Sequence, residues 1–204
     1  MRRRDLLDFA ILGLLHEGPL HGYELRRRLN DALGAFRALS FGTLYPRLKA
    51  LLERGWIVED TSRAAPGKRP RITYALTDSG REHFAALAAQ TDPAAWDDEG
   101  FDVRLAFFGH TERDVRLRIL EGRRSRLEER LDSMRRATHE SRERMNTWTT
   151  ELQRYGEETT EREVRWLSEL IEAEHHGTNR PPASGPEQAS SNPPSSPPDQ
   201  DHKE

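Results

Sequence analysis

Hydroxyl groups and cations are concentrated at the start of one short segment, SFGTLYPRLKALLERGWI, which spans residues 40–57. Its leucines recur at helical spacing, which predicts a helix with one buried side. The outward face of the first half carries only hydroxyl-bearing and cationic side chains, namely Thr43, Tyr45, Arg47 and Lys49. Such groups contact phosphates and base edges in protein–DNA complexes. The pattern therefore favours a surface that binds nucleic acid.

A second group of cations lies between two β-prone segments, WIVEDT and RITYALT. The connection SRAAPGKRP contains the turn signal Pro66-Gly67, so we predict a two-stranded hairpin with a basic tip. The cations of this tip are Lys68, Arg69 and Arg71. Long cations on a hairpin tip suit backbone phosphates or the adjacent minor groove.

Three predicted helices precede this hairpin and one follows it. The first carries a stripe from Leu6 to Leu15, the second spans about residues 21–33, and the third is the opening segment, which ends at Gly55. Thr77 is predicted to cap the fourth. Three helices followed by a basic hairpin describe a winged helix-turn-helix, in which the third helix enters the major groove of DNA.

Composition sets wider limits on the chain. Residues 1–90 hold 15 Lys and Arg against 10 Asp and Glu, whereas residues 91–204 hold 17 against 25. A basic first half suits a polyanion partner. The chain has no cysteine, which excludes disulfides, and no apolar run approaches the ~20 residues of a membrane helix. Because residues 1–18 also lack the features of a signal peptide, we expect a cytoplasmic protein without membrane contacts.

The second half is predicted to be helical. A polar hinge at 91–100 separates the winged helix of residues 1–90 from a helical, coiled-coil-like dimerisation domain at 101–176, and residues 177–204 have the composition of a disordered tail. Thr111 is predicted to cap a long helix, Gly156 to interrupt a later one, and Thr160 with Glu163 to form a capping box before the last helix. The fold class is thus mainly α.

Two apolar seams in this half are predicted to pair subunits. The first keeps the 3-4-3 spacing of a helix–helix contact, and both would leave apolar stripes in water if unpaired. Their residues are Met145, Trp148, Leu152 and Tyr155 in the first, and Val164, Leu167 and Ile171 in the second.

Four motifs carry a resemblance to a known family. GPLHGYEL at 18–25, the segment at 40–57, GKRPRITYALTDSGRE at 67–82 and FDVRLAFF at 101–108 resemble the PadR family of bacterial transcription regulators. The resemblance implies a homodimer with a winged-helix DNA-binding domain and a helical dimerisation domain. It also implies, for many members, a small-molecule effector that releases the operator. Carried over by position, it implies helix-turn-helix contacts to double-stranded DNA from Tyr23, Ser40, Thr43, Tyr45 and Lys49, and wing contacts from Lys68 and Arg69.

Several alternatives stay open. Tyr45 either binds phosphate or fills the seam between the second and third helices. Trp96 and Trp148 either line an effector pocket between subunits or belong to the core. An activator is the alternative to a repressor, and a helical interaction adaptor is the alternative from another class. We find no catalytic motif, no metal-ligand spacing and no cofactor motif, so we expect a non-enzymatic protein without a cofactor.

Overall fold

The structure, a computed structural model, describes residues 3–33, 41–60, 72–141 and 146–177. Within these ranges the chain forms seven α-helices and three short strands. The helices are α1 (Arg3–Glu17), α2 (Gly22–Leu33), α3 (Phe41–Glu53), α4 (Asp78–Ala88), α5 (Asp98–Ala106), α6 (Arg113–Ser141) and α7 (Thr147–His175). The strands are β1 (Leu20–His21), β2 (Ile57–Asp60) and β3 (Thr73–Leu76). Thus the mainly helical fold and the winged helix-turn-helix predicted from the sequence are confirmed.

Helix α1 is the centre of the N-terminal domain. The sequence predicted one apolar stripe, but Phe9 and Leu12, which lie outside it, are also fully buried. The reason is that α1 packs against α2, α3, α4, α5 and β3. A helix surrounded in this way buries every apolar side chain, whichever face it occupies. The other helices and the sheet are therefore positioned against a single central element.

The three strands form one antiparallel sheet in the order β1-β3-β2. Strands β2 and β3 pair from Ile57 with Leu76 to Asp60 with Thr73, as the predicted hairpin requires. Strand β1 was not predicted, because two residues are too few to show an alternating pattern. It pairs with β3 through Leu20 and Tyr74. The sheet thereby attaches the start of α2 to the base of the hairpin.

Thr77 caps α4 as predicted. Its hydroxyl oxygen accepts a hydrogen bond from the Gly80 backbone N–H at 2.9 Å. The same hydroxyl donates to the Gly55 carbonyl at 2.7 Å, and the Thr77 N–H donates to the Trp56 carbonyl at 3.1 Å. The cap therefore also fixes the start of α4 against the turn that follows α3.

Helices α6 and α7 form a long antiparallel pair at the C-terminal end. Arg116 bonds both carboxylate oxygens of Glu174, at 2.9 and 2.7 Å, where the start of α6 meets the end of α7. Arg113 donates to the Glu174 carbonyl at 2.8 Å, and so supplies a cation to the C-terminal end of α7. A second apolar core lies between the two helices, and it includes Ile119, Leu120 and Leu167.

Three predicted helix boundaries in this half are wrong. Helix α7 runs through Gly156 without interruption, because tertiary packing against Met134 of α6 outweighs the weak helix propensity of glycine. Thr160 is consequently inside the helix, where its hydroxyl donates to the Gly156 carbonyl at 2.8 Å, and no capping box forms. Thr111 is buried and donates to the Phe107 carbonyl instead of capping α6.

The predicted hinge at 91–100 is more structured than its polar sequence indicates. Residues Pro93–Ala95 form a 3-10 turn, and α5 already begins at Asp98. The buried guanidinium of Arg123 on α6 pairs with Asp98 and with Glu163 of α7. The hydrogen bond from Arg123 lowers the pKa of Asp98. Arg123 therefore connects α5, α6 and α7 at one point.

Helix α5 joins the two cores. Val103 and Phe107 belong to the core around α1, where the Phe107 ring meets Phe9 edge to face at 5.6 Å. Phe101, on the same helix, belongs to the core between α6 and α7. The N-terminal domain and the helical pair therefore share a packed element.

None of the helices in the described ranges combines the length and the apolar character needed to cross a lipid bilayer.

Candidate nucleic-acid interface

Three of the predicted DNA-contacting side chains lie at the surface of the N-terminal domain. Tyr23 at the start of α2, and Tyr45 and Lys49 on α3, are all exposed. Lys49 has a distant acid partner, Glu53, at 3.9 Å, and an exposed pair of this kind is weak. The Lys49 ammonium group is thus available to an anionic partner.

Tyr45 lies in the seam between α2 and α3 and is still partly exposed, so its binding of phosphate stays a prediction. A Cβ placed on Gly22 would lie 3.5 Å from the Tyr45 hydroxyl and 3.5 Å from the Tyr74 ring. The Tyr45 ring therefore packs over the glycine that begins α2, yet about half of the side chain remains exposed. Burial, followed by nearby Glu59, raises the pKa of the Tyr74 hydroxyl beneath it. The junction of α2, α3 and β3 thus holds a partly exposed tyrosine, Tyr45, next to a buried one, Tyr74.

Arg47 does not point outward as the sequence predicted. Its Nε donates to Asp8 Oδ1 at 2.7 Å and its Nη2 donates to Asp8 Oδ2, so the two side chains form a bidentate pair. Only 17% of the Arg47 side chain and 4% of the Asp8 side chain are exposed. The hydrogen bonds that Arg47 donates to Asp8 raise the pKa of Arg47. The prediction failed because this acid lies on α1, 39 residues away in the chain.

A stacked group of side chains continues this contact beyond the end of α3. Arg54 Nη1 lies 3.7 Å from Asp8 Oδ2, and its guanidinium carbon lies 4.9 Å from the centre of the Trp56 ring. Trp56 stacks on His83 of α4, with 3.6 Å between ring centres. Burial, and then Arg54, lower the pKa of His83, which favours an uncharged imidazole. Asp8 is thus one end of a contact chain through Arg54 and Trp56 to α4.

Asp8 was missed as a candidate in the sequence. It stands inside the apolar run LLDFAILGLL, where it merely interrupts the hydrophobic pattern. Since a charged residue among apolar side chains that are all buried needs a partner, the position of Asp8 within this run was the available signal.

Several predicted site residues lie outside the described part of the chain. These are Ser40 before α3, the side chain of Thr43, the wing cations Lys68, Arg69 and Arg71, and Met145 before α7. Their predicted roles stay predictions.

The two predicted dimerisation seams differ in the structure. Trp148, Leu152 and Tyr155 are 83%, 70% and 67% exposed, although they are large apolar side chains. By contrast, Leu167 and Ile171 are buried against α6 of the same chain, and Val164 packs against that core. The second seam is therefore used within the chain, and assigning it to subunit pairing was wrong.

The two tryptophans that were predicted to line an effector pocket, Trp96 and Trp148, lie far apart within one chain. Trp96 lies on the α6 backbone at Gly122, where an added Cβ would be 2.6 Å from the ring. It borders an open groove of about 430 Å³ lined by Trp96, Gly122, Ser125, Arg126 and Glu129. Trp148 lies 15 residues, or about 22 Å along α7, before Glu163, which pairs with Arg123 of α6. Only Trp96 lines the groove.

Among the described residues, no group of three or more His, Asp or Glu side chains is arranged to hold a metal ion.

Comparison with known proteins finds similar sequences for the N-terminal part of the chain. The sequence model of the transcriptional regulator PadR-like family matches residues 11–86, which run from α1 to α4. The negative transcriptional regulator PadR of Bacillus subtilis is 37% identical over 79 residues, which are 39% of this chain and 43% of that protein. A probable transcriptional regulator of Mycobacterium tuberculosis is 33% identical over 84 residues, which are 41% of this chain and 44% of that protein. The chain thus matches less than half the length of these curated relatives.

Solved structures of PadR proteins align with a larger part of the chain. The crystal structure of Bacillus subtilis PadR in complex with operator DNA has a TM-score of 0.40 and 23% identity, covering 82% of this chain and 98% of that one. The same protein in complex with p-coumaric acid has a TM-score of 0.38 and 21% identity, covering 86% and 98%. The family is one of transcriptional regulators rather than enzymes. Residues 11–86 of the chain thus match the PadR-like family of transcriptional regulators.

Proposed function

We propose that this protein is a homodimeric, sequence-specific DNA-binding regulator that represses transcription from a palindromic operator and is released by a small-molecule effector. The observation that carries the proposal is the outward presentation of Tyr23, Tyr45 and Lys49 by a winged helix-turn-helix fold. In such folds the exposed front of the third helix faces the major groove. Repression is supported by the name of the relative that is 37% identical, which is a negative transcriptional regulator.

The proposed contacts divide into two kinds. Lys49, Thr43 and Ser40 are proposed to contact base edges, whereas Tyr23 and Tyr45 suit phosphate oxygens. The wing cations Lys68, Arg69 and Arg71 suit phosphates or a narrow minor groove. Base contacts carry sequence information, and phosphate contacts mainly add affinity through counterion release.

Lys49→Ala and Arg69→Ala are expected to have different effects on binding. Loss of a base contact by Lys49→Ala should narrow the free-energy gap between operator and random duplex by about 1–3 kcal/mol. Loss of a phosphate contact by Arg69→Ala should weaken binding to both duplexes equally. It should also flatten the slope of log K against log salt concentration by about 1 per contact, and a dimer loses each contact twice. Titrations of both duplexes at several salt concentrations measure both quantities.

Glu82→Gln provides a control for these titrations, because it changes one exposed charge on α4 without touching the proposed face. It should leave the free-energy gap unchanged. If Arg69→Ala reduces discrimination while Lys49→Ala reduces only overall affinity, the two assignments are reversed. If neither variant changes binding, the alternative hypothesis of an interaction adaptor replaces the DNA regulator.

The homodimer is supported by the exposed stripe of Trp148, Leu152 and Tyr155 on α7. These residues follow the i, i+4, i+7 spacing of one helix face, which suits a contact with a second helix. Their exposure in the single chain leaves an apolar surface that a second copy of the same helix would cover.

The effector is proposed to bind the groove beside Trp96. One face of the indole ring rests on α6 at Gly122, so the remaining surface offers a rigid apolar wall. Arg126 and Glu129 add charged groups to the same groove. Since Asp97 pairs with Arg126, and Asp98 pairs with Arg123, a ligand here would act on the segment that leads from α4 into α5.

Trp96→Ala is expected to abolish effector binding, whereas Trp148→Ala should retain it. A compound found by thermal shift should stabilise the wild-type protein by about 2.7 kcal/mol at 100 times its Kd. The same compound should give no shift with Trp96→Ala and should weaken operator binding by the wild type. A compound that requires Trp148 and not Trp96 would place the effector site elsewhere.

A further inference from the structure

The contact between Asp8 and Arg47 joins the centre of the N-terminal domain to the helix proposed to read DNA. Both carboxylate oxygens of Asp8 are engaged by the Arg47 guanidinium, and both side chains are mostly buried. On the basis of the proposed DNA-binding function, we propose that Asp8 is a positioning residue that sets the orientation of α3 on the duplex through Arg47.

The apolar packing of α3 does not by itself fix its orientation. Leu44, Leu48 and Leu51 bury their side chains against the core around α1. Apolar burial is non-directional and depends mainly on the area removed from water. A helix held only by this seam can roll or slide by a fraction of a turn at small cost. Lys49 and Tyr45, which project from the other side, would move with it.

A bidentate arginine–carboxylate pair supplies the missing direction. Two parallel N–H to oxygen bonds require the guanidinium and carboxylate planes to align, so they define both distance and angle. The pair lies between Leu44 and Leu48 along α3, close to Tyr45 and Lys49 in the chain. The approach of Arg54 to the same carboxylate adds a second restraint beyond the last turn of α3.

The pair also decides which cations face the DNA. Arg47 is compensated by Asp8 and turned inward, so it adds little to the attraction of phosphates. Removing the acid alone would free Arg47, and to a lesser degree Arg54, next to the proposed interface. Non-specific binding would then rise because each new phosphate contact releases counterions.

A positioning role differs from a stabilising one. Replacing a buried ion pair with apolar residues of similar size is often neutral or stabilising, so the pair need not be required for folding. The expected loss therefore appears in the discrimination between DNA sequences and not in the melting temperature. This difference allows a double replacement to separate the two roles.

The test compares three variants of the full-length protein on two DNA probes. The specific probe is a duplex selected from a random library by the wild-type protein, and the non-specific probe is a random duplex of the same length. The variants are Asp8→Asn, the double variant Asp8→Leu/Arg47→Met, and the control Glu24→Gln. Glu24 pairs with Arg27 and Arg28 on α2, so its loss also frees arginines in this domain without touching the link to α3.

The double variant should keep the wild-type melting temperature. The ratio of its affinity for the specific probe to its affinity for the random duplex should fall at least about tenfold, which is the effect of about one lost base contact. Asp8→Asn should lose a similar factor and should also bind random duplex more tightly, with a steeper salt dependence. Glu24→Gln should bind both probes more tightly and keep the ratio, since phosphate contacts add equally to both.

Three results would overturn the inference. A folded double variant with the wild-type ratio would show that the pair does not orient α3. If the ratio of specific to random affinity falls as much in Glu24→Gln as in Asp8→Asn, the effect comes from arginines that have lost their acid partner and not from the orientation of α3. A melting temperature that falls in parallel with the ratio in the double variant would assign the pair a structural role. If the wild-type protein selects no duplex from the library, the proposed function itself fails, before any variant is made.

Discussion

Replacing Leu152 by aspartate is expected to convert the proposed dimer into a folded monomer of 23.5 kDa. Leu152 is the middle residue of the exposed stripe that also contains Trp148 and Tyr155. A carboxylate buried at the centre of an apolar contact without a partner costs several kcal/mol, which is enough to separate a modest interface. In the monomer the same carboxylate remains in water, so the fold should be unaffected. Sedimentation velocity measures the mass.

DNA binding should fall with the loss of the dimer. A dimer on a palindrome engages its second half-site at high effective concentration, which typically adds a factor of about 10²–10⁴ to the affinity. The monomer keeps the complete winged helix, so its affinity for a single half-site should equal that of the wild-type protein. Fluorescence anisotropy with a palindrome and with an isolated half-site distinguishes the loss of pairing from damage to the DNA-binding domain.

Thr150→Asp is the matched control for this variant. Thr150 is exposed on the same turn of α7, but it lies about 160° around the helix from Leu152. An acid there should leave both mass and affinity unchanged. A Leu152→Asp protein that stays dimeric would show that the exposed stripe does not pair subunits. Leu167→Asp is not a substitute for Leu152→Asp, because Leu167 is in the core of its own chain and its replacement should unfold α6 and α7.

Helix α3 illustrates how far the sequence predicts the candidate interface. Local pattern was sufficient for α3, for the hairpin strands and for the cap at Thr77, because each depends on residues within about one turn or one strand pair. Local pattern was insufficient for Arg47, because its partner Asp8 lies on another helix. A pair of residues far apart in the chain leaves no periodic signal. The outward direction of Tyr45 and Lys49 followed from spacing, whereas the inward direction of Arg47 did not.

The apolar pattern of α7 shows a second limit. Trp148, Leu152, Leu167 and Ile171 look alike in the sequence, because each recurs at helical spacing among polar residues. In the structure the later residues face α6 of the same chain and the earlier ones face solvent. Hydrophobic periodicity identifies a face that needs burial, but it does not identify the surface that covers it. Similarly, Gly156 predicted a break that packing against Met134 prevents.

Gly80→Ala is expected to destabilise the N-terminal domain strongly, although it adds only one methyl group. A Cβ at this position would lie 2.0 Å from the Trp56 carbonyl oxygen, a backbone atom that cannot rotate away. Helix α4 would have to shift from the turn after α3, which weakens the two bonds from Thr77 to that carbonyl. Overpacking costs about 1–3 kcal/mol and a weakened cap about 1 kcal/mol more. The sum is about 2–4 kcal/mol, so at about 2–4 °C per kcal/mol for a chain of this size the Tm should fall by about 4–16 °C.

Gly109→Ala separates this steric effect from the general effect of removing a glycine. A Cβ at Gly109 meets nothing within 4 Å, so the change should be neutral or slightly stabilising, through the lower entropy of the unfolded chain. Differential scanning calorimetry of both variants provides the comparison. Because Trp56 directly precedes β2, a shift of α4 also moves the hairpin relative to α3, and Gly80→Ala should weaken DNA binding even well below its Tm. Equal melting temperatures for the two variants would mean that α4 does not pack this closely on the Trp56 backbone. The restraint on the hairpin would then come from the pairing of β3 with its neighbours alone.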